Sequence, residues 1–248
     1  MTKILQGGAA FPARLFGVAA LLAALVSLAA CGGGEKASSA DESGKSAEAL
    51  LEQSARAMAE VRSFRFTLVN KDGETPLPDG LGLRTARGAM VQPDKLDAQV
   101  TARVSGFPVE MKVISAEGRT YVTHPLTGRW QTYDFSLSPV AFFDPDKGVV
   151  QILRSMQQPS LSPGSGSGPA ATGRVKGRLP ASAVKFITGS AIEGAMLDAE
   201  LLIGSQDGLL REAKFIGNIA PGEPDGMSRV LEFSDFNQSF AIVPPQLG

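Results

Sequence analysis

From Lys95 to Val104 apolar and polar side chains alternate without a break. Leu96, Ala98, Val100, Ala102 and Val104 fall on one side, and Lys95, Asp97, Gln99, Thr101 and Arg103 on the other. A period of two predicts a strand with one dry face. Phe64, Phe66 and Leu68 repeat it against Arg65, Thr67 and Val69. So do Val109, Met111 and Val113 against Glu110 and Lys112, after the turn "SGFP". "RTYVTH" and "RWQTY" follow, set off by the turn signals "AEG" and "PLTG". Further along, "RVKGRL" reads as a strand, and Ala195–Ile219 as a hairpin turning at Ser205–Gly208. "SRVLEFSDF" and "SFAIVPP" read as closing strands. Short half-apolar strands separated by turn residues predict an antiparallel sheet. Two intervals read as loops: "KDGETPLPDGLG" after the first strand and "PSLSPGSGSGPAATG" from Pro159 to Gly173.

Three segments switch to the helical period. Ala47, Leu50, Leu51, Ala55, Met58 and Val61 share one side, with Ser46 as the expected cap. In "FFDPDKGVVQILRSMQQ", Asp144 is the expected N-cap, with Pro145 first in the helix and Asp146 beside its positive end. Val149, Val150, Ile152, Leu153 and Met156 form the stripe that follows. "PASAVKFI" reads as a short helix. One antiparallel sheet with helices on one face is an α+β architecture.

The N-terminal stretch follows neither period. Leu15–Leu28 is uncharged and apolar, Lys3 and Arg14 precede it, and no acidic residue occurs before Cys31. These are the parts of a secretory signal, on a run shorter than the roughly 20 residues of a membrane span. Leu28-Ala29-Ala30-Cys31 resembles the bacterial lipobox, in which the cysteine sulfur is diacylglycerated and the chain is cut just before it. The resemblance implies residues 1–30 as a signal and Cys31 as an anchor on the extracytoplasmic (periplasmic) side of the cell membrane. "GGGEKASSADESGKS" holds no large apolar residue, so 31–46 reads as a flexible tether and 47–248 as the folded domain.

Cleavage would remove Lys3 and Arg14 from the 24 basic residues, leaving 22 against 25 acidic, a formal charge of −3. That balance gives no basic surface for nucleic acid. Cys31 is the only cysteine, so no internal disulfide forms. His124 is the only histidine and sits in an expected turn before Pro125. No nucleophile elbow occurs, since "GSGSG" orders its residues wrongly, and "SGKS" lacks the earlier glycine of a phosphate loop. No enzyme, metal or cofactor site is expected. The small residues Ala98 and Ala102 on an otherwise dry strand face suggest room beneath the sheet.

Several blocks resemble the mycobacterial-type lipoproteins of the LppX/LprA/LprF/LprG group. "FFDPDKGVVQIL" is similar to that family's N-P-D-K-G segment opening a helix, and "RVKGRLPASAVKFI" to its strand-turn-helix block. "RTYVT…GRWQTYDF" resembles its aromatic hairpin, and "LEFSDFNQSFAIVPP" its closing segment, in the same order from Ala47 to Pro245. The resemblance implies a single curved antiparallel sheet, a half-barrel like that of periplasmic lipoprotein carriers, with helices on its concave face enclosing an apolar cavity. It further implies an acylated lipid or glycolipid as ligand, transfer within the envelope, and for some members a membrane transporter as partner. The residues assigned to the cavity by alternation are Phe66, Leu68, Ala98, Val100, Ala102, Val109, Met111, Val113, Ile152, Leu153, Leu202 and Phe215. A lipoprotein of the same fold with a filled core, acting as a structural or protein-interaction module, is the alternative.

Overall fold

A computed structural model describes residues 35–77, 80–133, 141, 144, 147–166 and 171–247. Cys31 and the apolar run before it lie outside these residues, as do Pro145 and Asp146. Helix α1 covers Glu35–Ala59, so Ser46 sits exposed within it rather than capping it. The coil expected over 31–46 is therefore helical from Glu35 onward. Adding residues to an existing helix needs no new nucleus, and the turns anchored by Ala47 and Leu51 supply one. Ala47, Leu51, Ser54, Ala55 and Met58 make the buried stripe of α1.

The strands are β1 (Ser63–Lys71), β2 (Thr75–Leu77), β3 (Leu81–Val91), β4 (Lys95–Val104), β5 (Phe107–Ala116), β6 (Arg119–Thr123) and β7 (Trp130–Tyr133). After the short helix α2 (Val149–Arg154) come β8 (Gln157–Pro163) and β9 (Thr172–Pro180). A 3-10 turn (Ala181–Val184) leads into helix α3 (Lys185–Thr188), then β10 (Met196–Gly204), β11 (Leu210–Ile216) and β12 (Ser228–Ser234). All belong to one 12-stranded sheet in the order β7-β6-β5-β4-β3-β1-β12-β11-β10-β9-β8, with β2 also paired to β3. Every pairing is antiparallel. Two meanders thus flank a central pair, β1 and β12, where Phe66 faces Phe233 in register. The rings of Phe64 and Phe233 meet edge to face at 5.4 Å.

Four local expectations are corrected. Residues 81–91, in part read as loop, form β3. A bulge between Leu83 and Thr85 puts Leu83 and Ala86 on the same face at odd spacing, which hides the period. The interval from Pro159 is in part strand β8, whose prolines are tolerated because it pairs on one side only. Asp144 does not cap α2. The N-cap is Gly148, and the Asp144 carbonyl instead closes the preceding turn by accepting the Gly148 N–H at 2.7 Å. "SFAIVPP" adds no strand. It packs by side chains: Ile242 is buried and Phe240 lies 4.9 Å beneath the Arg65 guanidinium.

The two halves of the sheet are filled differently. Under α1, α2 and the 3-10 turn, Val175, Leu179, Leu197, Leu201, Ile203, Leu210 and Phe215 are all 0 % exposed. A Cβ on Gly173 would come within 2.6 Å of Leu50, so the helix lies close upon β9. This half is solid. In the half built by β3–β7, Leu96, Val100 and Met111 face the same side yet remain partly exposed.

A buried ion pair ties the β11–β12 loop to the end of β1. The Arg229 Nη2 lies 2.6 Å from Glu223 Oε1, and both side chains are 0 % exposed. Glu223 also accepts the Ile219 N–H at 2.6 Å and the Thr75 hydroxyl at 3.1 Å. Arg229 Nε donates to Asn70 Oδ1 at 3.4 Å, while its Nη1 has no hydrogen-bond partner among the described residues.

Candidate functional site

The partly exposed face of the β3–β7 half borders a cavity with about 290 Å³ of room for the centres of water-sized groups. At about 25–30 Å³ for each such group, about ten fit. Phe66 and Leu68 of β1, Leu231 of β12, and Phe186 and Ile187 of α3 close it on the side of the solid half. Among the described residues no charged side chain lines it. Its few polar side chains include Ser115, Thr120, Thr123, Gln131 and Tyr133, on β5–β7. Ser115 and Thr120 share a hydrogen bond of 2.9 Å, and Thr123 Oγ1 accepts the Lys112 N–H at 2.8 Å. Hydroxyls so engaged present little unmet polarity to an apolar guest.

Small side chains create the space. Gly88 on β3 pairs with Ala98 on β4, and a Cβ on Gly88 would fall 2.0 Å from the Asp97 carbonyl oxygen. The strands approach too closely there for any side chain. Ala86, Ala98 and Ala102 then fill little of the volume below.

Of the residues assigned by alternation, Phe66, Leu68, Ala98, Val100, Ala102, Met111 and Val113 come together on the cavity wall. Val109 shares their face but lies off the cavity, near the outer end of β5. Ile152 and Leu153 of α2 and Phe215 of β11 sit in the solid half at 0–1 % exposure. Leu202 is on the opposite face of the sheet: it pairs with Glu212, while its neighbours Leu201 and Ile203 are fully buried. A one-residue shift of phase produces that exchange. Sequence reasoning missed Leu77, Leu81, Leu83, Ala86 and Met90, because their strands were not recognised, and Phe186 and Ile187 of α3. Ala86, Gly88 and Met90 do alternate once one bulged residue is allowed after Leu83.

His124 shapes the β6–β7 turn, where its Nδ1 accepts the N–H groups of Leu126 at 3.2 Å and Thr127 at 3.4 Å. Among the described residues no group of three or more His, Cys, Asp or Glu side chains is placed to hold a metal ion, and no helix is long and apolar enough to cross a membrane.

An open antiparallel half-barrel with helices on one face is also the fold of two solved lipoproteins. LprF from Mycobacterium bovis has a TM-score of 0.66 and 17% identity, over 82% of this chain and 98% of that one. LppX from Mycobacterium tuberculosis has a TM-score of 0.56 and 18% identity, over 80% and 99%. No curated protein matches the chain by sequence. The family model for LppX_LprAFG lipoproteins matches residues 46–242. The chain belongs to that lipoprotein family.

Proposed function

We propose that the protein is an extracytoplasmic lipoprotein, anchored through diacylglyceryl-Cys31, that holds the acyl chain of a lipid or glycolipid in the cavity and transfers it within the cell envelope. The observation that carries this reading is the contrast between the halves: one packed to completion, the other left with an uncharged apolar space of about 290 Å³. Each methylene removed from water is worth about 0.8 kcal/mol, so a 16-carbon chain represents roughly 13 kcal/mol. A carrier has to match the bilayer closely in that respect, and apolar walls do so without any reactive group. A filled-core interaction module is disfavoured by the same space. Delivery to or from a membrane transporter fits a carrier that releases its cargo intact.

The test is to purify the acylated protein from membranes, wash it, extract it with organic solvent and identify the lipids released. Stoichiometric lipid beyond the covalent anchor is expected. A protein that yields only its anchor and carry-over detergent would end the carrier reading.

A further inference from the structure

Three turns leave the hollow half at one end of the sheet. Leu81, just after the β2–β3 turn, pairs with Val104, and Val104 pairs with Phe107 across the β4–β5 turn. The β6–β7 turn, His124–Arg129, emerges on the same side, because β6 runs antiparallel to β5 and ends beside Lys112. Two of the three turns hold the large apolar side chains most exposed among the described residues: Phe107 at 73% and Leu126 at 87%.

Neither is a frayed end. Ser105 (φ 49°) and Gly106 (φ 85°) form a two-residue hairpin turn with positive φ at both positions, which fixes where Phe107 begins β5. The turn bearing Leu126 is closed by the Gly128 N–H to the His124 carbonyl at 2.9 Å and by the two bonds to the His124 ring. Both apolar groups thus stand out in water on regular turns.

The cavity reaches the same place. Leu77, Leu81, Val104 and Pro125 line it next to the three turns, and the exposed ones among its described lining residues, Pro125 and Gln131, belong to the β6–β7 hairpin. Leu77 and Leu81 also border a polar groove of about 720 Å³ that contains Glu74, Arg84 and Arg103. One carboxylate serves both guanidiniums there, 3.3 Å from Arg103 and 3.9 Å from Arg84, and both arginines remain nearly half exposed. Among the described residues the groove thus carries two guanidiniums against one carboxylate.

We infer that this end of the hollow half docks on an anionic lipid bilayer, with Phe107 and Leu126 entering the acyl layer and Arg84 and Arg103 meeting the headgroups. The inference rests on the carrier reading and names the surface through which cargo passes. Apolar groups of interfacial segments enter the headgroup–acyl boundary by about 5–10 Å, and Pro125, beside Leu126, lines the cavity. Lipid then moves between two dry environments without crossing water. Basic residues placed behind the tips favour anionic headgroups and repel none of them.

The test uses the full acylated protein reconstituted in phosphatidylcholine vesicles, with or without phosphatidylglycerol. The chain has one tryptophan, Trp130, so Trp130→Phe with Leu126→Trp gives a single reporter at the tip, and Trp130→Phe with Val243→Trp a single reporter at an exposed site elsewhere. Brominated acyl chains should quench the reporter at 126 and spare the one at 243. Quenching should weaken several-fold without phosphatidylglycerol or with Arg84→Gln/Arg103→Gln. Phe107→Asp, added to the tip reporter, should shift the docked-to-undocked ratio by about 10-fold or more. Absence of quenching at 126 in stably anchored protein, or equal quenching at both sites, overturns the docking surface. Lipid extracted from the same protein before reconstitution separates the two readings: cargo retained without docking refutes this inference alone, and docking without cargo refutes the carrier.

Discussion

Substituting Val100 by tryptophan tests whether the hollow half is hollow. Val100 sits mid-strand on β4, opposite Ala86 on β3 and Met111 on β5, and all three side chains line the cavity. Tryptophan adds about seven heavy atoms, more than half of a space that holds about ten water-sized groups. A long acyl chain then leaves about seven methylenes without a dry place, a loss of about 5–6 kcal/mol, or roughly 10⁴-fold in affinity. Shorter chains should lose less, because the indole displaces fewer of their methylenes. The fold should barely notice: with space available, the change in stability stays within about 1.5 kcal/mol. Leu201→Trp is the matched control. It places the same bulk in the solid half, where Leu201 is 0 % exposed, and should cost about 3 kcal/mol or more. Urea unfolding of both variants and displacement of fluorescent fatty acids of two lengths make the comparison. If Val100→Trp unfolds as readily as Leu201→Trp, the space is not there. If it still binds long chains at wild-type affinity, the space is not where they bind.

Three further outcomes follow from buried or crowded groups. Glu223→Gln leaves the Arg229 charge buried without its partner and should cost about 3–5 kcal/mol in urea unfolding, with Glu223→Gln/Arg229→Met recovering most of it. Burial already lowers the pKa of the Arg229 guanidinium, and Glu223 opposes that shift, so a single substitution as stable as wild type would contradict the pairing. Ser54→Ala should raise stability by about 1 kcal/mol, since the Ser54 hydroxyl is fully buried on α1 with no hydrogen-bond partner among the described residues; a loss would reveal an unrecognised one. Gly88→Ala should destabilise by about 2–3 kcal/mol, because its Cβ would meet the Asp97 carbonyl oxygen, and thermal unfolding at wild-type temperature would show the strands able to part.

Strands with a clean period were legible in the sequence, and those with a local defect were not. β4 alternates over its whole length, and its bounds match the alternating run residue for residue. β3 alternates too, but only on either side of its bulge, and Gly88 removes a side chain where the pattern needs one. β8 carries Pro159 and Pro163, which signal a loop unless the strand is known to be an edge. The site was half legible for a different reason. Alternation tells which side of a strand is dry, and for β1, β4 and β5 that was enough to name wall residues. It says nothing about what stands opposite. Phe215 and Ile152 have the same apolar character as Met111, yet they meet a helix or the sheet instead of a space, a distinction made only by tertiary packing.

The central pairing of β1 with β12 makes the sheet a test of completeness. Arg62 and Asn237, whose hydrogen bond of 2.8 Å fastens one end of that seam, are separated by 175 residues. Leu231, a cavity wall residue, arrives on the last strand of all. A chain cut short of Ser228 would leave β1 with a bare edge in the middle of the molecule and a vessel lacking one wall. Such a fragment offers a raw strand to any protease, so durability is reserved for molecules that include β12.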